Sequence, residues 1–72
     1  MEKRDEELIV SLVDRDAELK VKWEEHLLLE GQLAELQGRL HLSNDEEVEK
    51  KRLQKLKLAG KDRIMEILSK YR

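Results

Sequence analysis

The 72-residue sequence has no cysteine, no proline and no phenylalanine, and its aromatic residues are limited to Trp23 and Tyr71. Without cysteine, neither a disulfide framework nor a thiolate metal site can form. Aromatic residues and turn glycines, which β-sheet domains use heavily, are both scarce. The chain is instead 44% charged and rich in leucine, glutamate and lysine, which favour helices. We therefore predict an all-α protein.

Long hydrophobic runs are also missing. No stretch approaches the roughly 18 consecutive apolar residues that a membrane-spanning helix needs. The first seven residues are mostly charged and lack the apolar core of a signal peptide. We therefore expect a cytoplasmic protein with no membrane partner.

The length of the chain limits the core that it can bury. Residues 1–72 suffice for a single small domain. A domain of this size leaves a large share of its apolar surface exposed, and small helical domains gain stability by associating. We therefore expect a homo-oligomer.

The formal net charge of -2 conceals an uneven distribution. Residues 1–49 contain 15 acidic and six basic residues, whereas residues 50–72 contain nine basic and two acidic ones. Segments of opposite charge attract each other when they pack together. The two parts of the chain are therefore predicted to fold back on each other.

The strongest break in the helical pattern predicts a turn at 42–45, followed by a second helix at about 45–70. Acidic residues crowd the first turn of this helix, where they complement the positive end of the helix dipole. Two pairs match the capping box that begins many helices: Ser43 with Glu46, and Asn44 with Glu47.

The first helix is predicted at about 4–41. A break near 14–16 would separate a short extra N-terminal helix if Asp14 caps a helix that starts near Arg15. No glycine or proline enforces that break, so one continuous helix remains an alternative. An apolar stripe repeats every seven residues, as packed helices require, and consists of Leu12, Leu19, His26, Leu33 and Leu40.

A short turn between two long helices favours an antiparallel hairpin, similar to a coiled coil. Folding about the turn brings together residues whose numbers sum to about 87, within several residues, which pairs Glu30 with Lys57 and places Trp23 near Gly60 and Ile64. An indole opposite a glycine predicts that Gly60→Leu clashes with Trp23 and lowers the melting temperature. The predicted hairpin seam consists of Leu19, Trp23, His26, Leu29, Leu33, Leu53, Leu56, Gly60, Ile64 and Ile67.

A second apolar set lies away from the seam and would be exposed in a monomer. Contiguous exposed apolar area usually marks an interface, although isolated surface hydrophobes are also common. We predict that hairpins pack as a dimer or tetramer and form a helical bundle. The predicted oligomer contact consists of Val21, Leu28, Leu58 and Met65.

His26 is the polar residue within the stripe of the first helix. With Glu30 one turn later, it could bind a metal or act as a pH switch. Two ligands are too few for a metal site in one chain, although a symmetric dimer would double them. We favour a seam histidine that hydrogen-bonds a carboxylate or a loop group across the interface, and we expect no cofactor and no metal.

Catalytic patterns are not evident in the sequence. Ser11, Ser43 and Ser69 have no general base at a suitable spacing. The three glycines are too widely spaced for a phosphate-binding loop. Neighbouring carboxylates such as Glu24 and Glu25 fit a solvated face, because acid–base catalysis needs a partly dry, concave site. We therefore expect that the protein is not an enzyme.

Basic residues cluster in the second helix and form a candidate nucleic-acid surface. The acidic first helix is their expected neighbour, and no aromatic residues interleave with them to stack on bases. Nucleic-acid binding, or a regulatory role through this face, therefore stays the disfavoured alternative to self-association. The candidate basic surface consists of Lys50, Lys51, Arg52, Lys55, Lys57, Lys61 and Arg63.

A histidine in the first helix and a lysine-rich pattern in the second carry a family resemblance. His26 ends a Trp-Glu-Glu-His run that is followed by a leucine–glutamate step, and segment 53–68 contains Lys-Leu-Lys-Leu and Lys-Asp. Over about residues 8–70, the chain resembles the YdcH-like family of small bacterial proteins, a family of unknown function. The resemblance implies a helical hairpin, a cytoplasmic bacterial protein and no established activity or ligand-binding residues.

Two features depart from that family pattern. Gly60 stands where members often carry a longer apolar side chain, and no proline lies near the break at 14–16. Taken together, the residues predict a non-enzymatic helical protein that self-associates through its apolar faces. An unidentified protein partner remains open.

Overall fold

The computed structural model describes residues 2–72, which form three helices and no strand. Most contacts between elements join the second helix to the third. The ion pairs Glu18–Arg63 and Glu30–Lys57 show that these two run antiparallel. The predicted all-α helical hairpin is therefore confirmed, with a short additional helix before it. The helices are α1 (Lys3–Leu12), α2 (Ala17–Gln37) and α3 (Asn44–Ser69).

α3 begins at a capping box formed by Ser43 and Glu46. The Ser43 hydroxyl accepts from the backbone N–H of Glu46 at 3.2 Å, and the Glu46 carboxylate accepts from the backbone N–H of Ser43 at 3.1 Å. These bonds satisfy two donors that have no partner inside the helix. Of the two predicted boxes, the Ser43 box forms, and each end of α3 differs by one residue from the predicted 45–70.

A break at 13–16 separates α1 from α2, so the first helix is not continuous. Asp16 is extended (φ -127°, ψ 104°), and its Oδ1 accepts from the backbone N–H of Leu19 at 3.0 Å. Its Oδ2 accepts from the Tyr71 hydroxyl at 2.7 Å. The predicted cap, Asp14, is therefore wrong by two residues. Asp16 takes that place because its carboxylate is held both by the first turn of α2 and by Tyr71.

α2 ends at Gln37, whereas the sequence predicted a helix to about residue 41. Gly38 follows, and glycine disfavours continuation of a helix because it loses more backbone freedom than other residues. Arg39 then forms ion pairs with a glutamate of α2 and a glutamate of α3, which anchors the linker 38–43 to both helices. Leu40, predicted as part of the apolar stripe, lies in this linker and is 96% exposed.

The core is concentrated at the end of the hairpin where α1 packs, called here the three-helix end. Six buried residues from all three helices form one cluster there. At the opposite end, next to the linker, Leu33 and Leu53 are buried between α2 and α3 alone. This region is called the two-helix end. The cluster of the three-helix end consists of Ile9, Leu12, Leu19, Ile64, Ile67 and Leu68.

The uneven charge distribution produces contacts between helices. Arg63 of α3 binds Glu18 of α2 through two nitrogens, at 2.9 and 2.8 Å. Arg72 pairs with Asp5 of α1. Each pair joins an acid of the first part of the chain to a base of the last part, as the charge pattern predicts. Because exposed ion pairs contribute little stability each, their effect is mainly to align the helices.

Candidate self-association surface

An open groove of about 390 Å³ runs between α2 and α3. It lies outside the core, because none of its lining residues belongs to the buried cluster or packs against it. The lining is mostly apolar and includes three charged residues. The residues that define this groove are Lys22, Glu25, Leu28, Leu29, Leu56, Ala59, Gly60 and Arg63.

The apolar residues of the groove are incompletely covered by the fold. Leu28 is 64% exposed and Leu56 is 46% exposed, whereas Leu29 is half-buried. A Cβ placed on Gly60 would meet no atom within 4 Å outside its own helical neighbourhood. Gly60 therefore leaves an open space in the groove, beside two leucines that keep much of their surface in solvent.

Four residues of the predicted seam are not buried, although one of them, Trp23, packs against the cluster that contains Ile64, its other expected neighbour. Leu29, Leu56 and Gly60 line the groove, and Trp23 packs against the cluster at the three-helix end. The predicted contact of Trp23 with Gly60 is wrong, because the indole does not come within 4 Å of the Cβ position of the glycine. Summed residue numbers identify which turns of two helices are level, but not to which side of the seam each side chain points.

The remaining six seam residues are buried, and they are Leu19, His26, Leu33, Leu53, Ile64 and Ile67. Sequence reasoning missed the burial of Ile9, placed Leu68 only at the edge of the stripe, and missed the groove. The apolar spacing of Leu8, Ile9 and Leu12 marks one face of α1 and could have identified the first. A glycine within the apolar stripe of α3 was the available signal for the groove.

The charged residues of the groove are paired within the chain. Lys22 Nζ lies 3.6 Å from Glu25 Oε2. Arg63 binds Glu18, as described above, and its Nη1 lies 3.1 Å from Glu66 Oε1. The hydrogen bond that Arg63 donates to Glu18 raises the pKa of Arg63, whose guanidinium is charged at every physiological pH. Both signs of charge are present along the edge of the groove.

Of the four residues predicted as the oligomer contact, one lines the groove. Val21, Leu28 and Leu58 are 51%, 64% and 61% exposed, but of these three only Leu28 lines the groove. Met65 is half-buried, because it packs against the cluster that contains residues of α1. Met65 as an oligomer contact stays a prediction, and less of its surface is exposed than that of the other three residues.

His26 is the one buried polar residue in the described part of the chain, at 2% exposure. Its Nε2 lies 2.9 Å from Glu30 Oε1, and Lys57 Nζ lies 3.7 Å from the same oxygen. The imidazole stacks on Trp23, with ring centroids 5.4 Å apart and 16° between the planes. His26 Nδ1 is buried without a hydrogen-bond partner. The carboxylate therefore comes from the same helix, one turn later, and not from across the interface as predicted.

The serine hydroxyls are engaged with the backbone. Ser11 Oγ donates to the carbonyl oxygen of Leu8 at 2.7 Å, and Ser69 Oγ donates to that of Glu66 at 2.6 Å. Ser43 caps α3. Within residues 2–72, no three histidine, aspartate or glutamate side chains gather as metal ligands.

The candidate basic surface is partly neutralised by neighbouring carboxylates. Four of its residues form no ion pair within residues 2–72, and at about 100° per residue they span roughly 140° of the circumference of α3. The unpaired charge therefore lies on one side of α3, within less than half of its circumference. The paired residues are Arg52 with Glu49, Lys57 with Glu30, and Arg63 with Glu18 and Glu66, and the unpaired ones are Lys50, Lys51, Lys55 and Lys61.

No family model, curated protein or solved structure matches the chain. The resemblance to the YdcH-like family therefore stays a prediction. Among residues 2–72, no helix has both the length and the apolar character needed to cross a membrane.

Proposed function

We propose that this chain is a non-enzymatic helical module that associates with copies of itself, as a dimer or tetramer. The groove is the observation that carries the proposal, because Leu28 and Leu56 stay largely exposed in it. Contiguous exposed apolar surface is typical of protein–protein interfaces. A surface of this kind binds another apolar surface, and self-association supplies one without a further component.

The small core supports the same proposal. Covering the groove would bury leucines that the hairpin leaves exposed, and full burial of one leucine contributes roughly 1.5–3 kcal/mol. Association would therefore stabilise the fold as well as join the copies. The buried hydrophobic residues of the chain alone are Ile9, Leu12, Leu19, Leu33, Leu53, Ile64, Ile67 and Leu68.

Sedimentation equilibrium over roughly 1–100 µM protein tests the proposal directly. We expect an average mass that rises with concentration from monomer towards dimer or tetramer. We also expect the melting temperature to rise with concentration, because association stabilises only the folded chain. A monomeric mass at every concentration, together with a constant melting temperature, would contradict self-association.

The proposal includes a cytoplasmic location and membership of the YdcH-like family of small bacterial proteins, through His26 and the lysine-rich pattern of α3. An unidentified protein partner could use the same groove. Nucleic-acid binding is the weaker candidate, because three residues of the basic surface are ion-paired within the chain. Titration of labelled duplex and single-stranded probes at low and moderate salt separates the two. We expect no binding, whereas affinity that falls steeply with salt would favour the nucleic-acid alternative.

A further inference from the structure

We propose that the groove is filled by a second copy of the chain, with Leu28 of each copy entering the open space above Gly60 of the other. This inference rests on the proposed self-association. It goes further by naming the surface and the side-chain contact that produce the association.

The shape of the groove supplies both halves of such a contact. Leu28 projects with 64% of its side chain exposed, and a Cβ on Gly60 would have no neighbour within 4 Å. Both residues line the groove. A two-fold interface uses one surface twice, so that residue i of one copy meets residue j of the other and the reverse. A projecting leucine and an open space on the same surface can therefore fill each other reciprocally.

Charge complementarity favours a second copy as the occupant. Lys22 and Arg63 bring positive charge to the groove, and Glu25 brings negative charge. Each of these residues is already ion-paired within its own copy, and a two-fold rotation can bring Glu25 of one copy towards a basic residue of the other, so no charge faces only its own sign. A partner helix with charge of one sign would instead meet like charge at part of the groove.

The size of the available face is sufficient for a stable pair. The molecule measures 42 × 18 × 17 Å. One long face therefore has a projected area on the order of 750 Å², so a standard interface of ~800 Å² per partner would use the whole face and not the groove alone. Groove-to-groove packing along the length of the hairpin can thus bury enough surface for specific association.

α1 leaves this side of the hairpin open. Met65 and Arg63 lie on opposite sides of Ile64, because successive residues turn by about 100° around the helix axis. Met65 packs against the cluster that contains α1 residues, whereas Arg63 lines the groove. A second copy can therefore approach the groove without displacing α1.

Leu28→Gln and Leu58→Gln form a matched test. The two leucines are 64% and 61% exposed, but only Leu28 lines the groove. We expect Leu28→Gln to weaken the dissociation constant of self-association by about tenfold or more, because each interface loses two buried leucines. Leu58→Gln should leave the dissociation constant within about twofold of wild type. Sedimentation equilibrium measures both.

Gly60→Leu tests the open space itself. Since a Cβ at this position has no neighbour within 4 Å, the monomer should accommodate the leucine. The new side chain would then occupy the space that Leu28 of the partner needs. We expect helical circular dichroism like that of wild type together with self-association weakened by about tenfold or more. Gly60→Ala fills less of the space, so its effect should lie between those of wild type and Gly60→Leu.

The outcomes separate this inference from the proposed function. If Leu28→Gln and Gly60→Leu associate like wild type, the groove is not the interface and the inference is overturned, while self-association stands. A monomeric wild type overturns both. If Leu28→Gln reduces helicity, the Gly60 variants decide, because they change the open space without adding a polar group to the surface.

Discussion

The three-helix end and the two-helix end differ in how much of each helix they bury. At the three-helix end, α3 buries Ile64, Ile67 and Leu68, each 0% exposed. At the two-helix end it buries Leu53, at 4% exposure, while Val48 stays 67% exposed. Two helices cover only one stripe of each other, whereas a third helix covers a second stripe. α1 therefore accounts for the difference.

The comparison shows how much a short helix can contribute through packing. α1 has ten residues, too few for a stable helix in isolation. Its order depends on Ile9 and Leu12, which are 0% and 7% exposed against the hairpin. Those same contacts complete the cluster of the three-helix end. Buried packing is thus concentrated where α1, the helix least stable in isolation, docks on the hairpin.

Truncating one leucine at each end should give the largest effects. Leu19→Ala removes a side chain that is 0% exposed in the three-helix cluster, and we expect the free energy of unfolding to fall by about 3–4 kcal/mol. Leu33→Ala lies between two helices that can close on the cavity, so we expect a loss of about 2 kcal/mol. Urea unfolding followed by circular dichroism measures both.

Leu40→Ala is the control for these truncations. Leu40 is 96% exposed, so its removal should change the free energy of unfolding by less than about 0.5 kcal/mol. Equal losses for Leu19→Ala and Leu33→Ala would mean that α1 adds no packing at its end, contrary to the comparison.

Replacing His26 with an apolar residue should make the buried core continuous between the three-helix end and the two-helix end. His26→Phe removes a buried Nδ1 that has no partner and keeps a ring to stack on Trp23. An unsatisfied buried polar atom is costly, so we expect the free energy of unfolding to rise by about 1 kcal/mol. His26→Ala should lower it, since the ring is lost. Lower stability of His26→Phe would show instead that the contact of Nε2 with Glu30 outweighs the unpaired nitrogen.

The smallest expected effects are those of pH on the stability of the two ends. Hydrogen bonds from the Leu19 N–H and then the Tyr71 hydroxyl lower the pKa of Asp16. Their stabilisation is complete above the ordinary aspartate pKa of about 3.9 and is lost as the pH falls through the lower folded value. The Ser43 N–H lowers the pKa of Glu46 at the two-helix end, with the same sign. Acid should therefore weaken both ends.

At alkaline pH, the hydrogen bond between Tyr71 and Asp16 should be lost, and this bond lies at the three-helix end. The hydrogen bond to Asp16 raises the pKa of Tyr71. The contact is therefore complete below the ordinary tyrosine pKa of about 10 and is lost as the pH rises through the higher folded value. Melting temperatures of wild type and Tyr71→Phe between neutral and strongly alkaline pH measure the effect. Their difference should shrink as the pH rises; a constant difference would assign the Tyr71 contribution to packing alone.

The parts of the fold that were predictable from the sequence depend on local signals. The Ser43–Glu46 box lies within four consecutive residues, and it places the start of α3 to within one residue. The end of α2 was not predictable in the same way, because the seven-residue spacing from Leu33 to Leu40 continues past Gly38. A periodic pattern shows which residues a helix can bury if a neighbouring element packs there. Leu40 is 96% exposed, so no element packs against it.

The candidate site was predictable only in part, for a tertiary reason. Leu28 was expected at an interface, and it lies exposed in the groove. Gly60 was expected under Trp23, but Trp23 turns to the cluster completed by α1. The sequence shows no marker for the side of the hairpin on which α1 docks. That choice determines which flank of the seam is covered and which becomes the groove.

The concentration of packing at the three-helix end also bears on the order in which the chain folds. Pairing at the two-helix end closes a loop of about 20 residues between Leu33 and Leu53, and pairing at the other end closes one of about 49 residues between Leu19 and Leu68. The longer loop raises the closure entropy by only about 0.8 kcal/mol, less than the burial of one leucine contributes. Loop-closure entropy therefore gives little preference for helix pairing that starts at the linker. A folding nucleus that joins distant segments of the chain can compete with one that forms beside the turn.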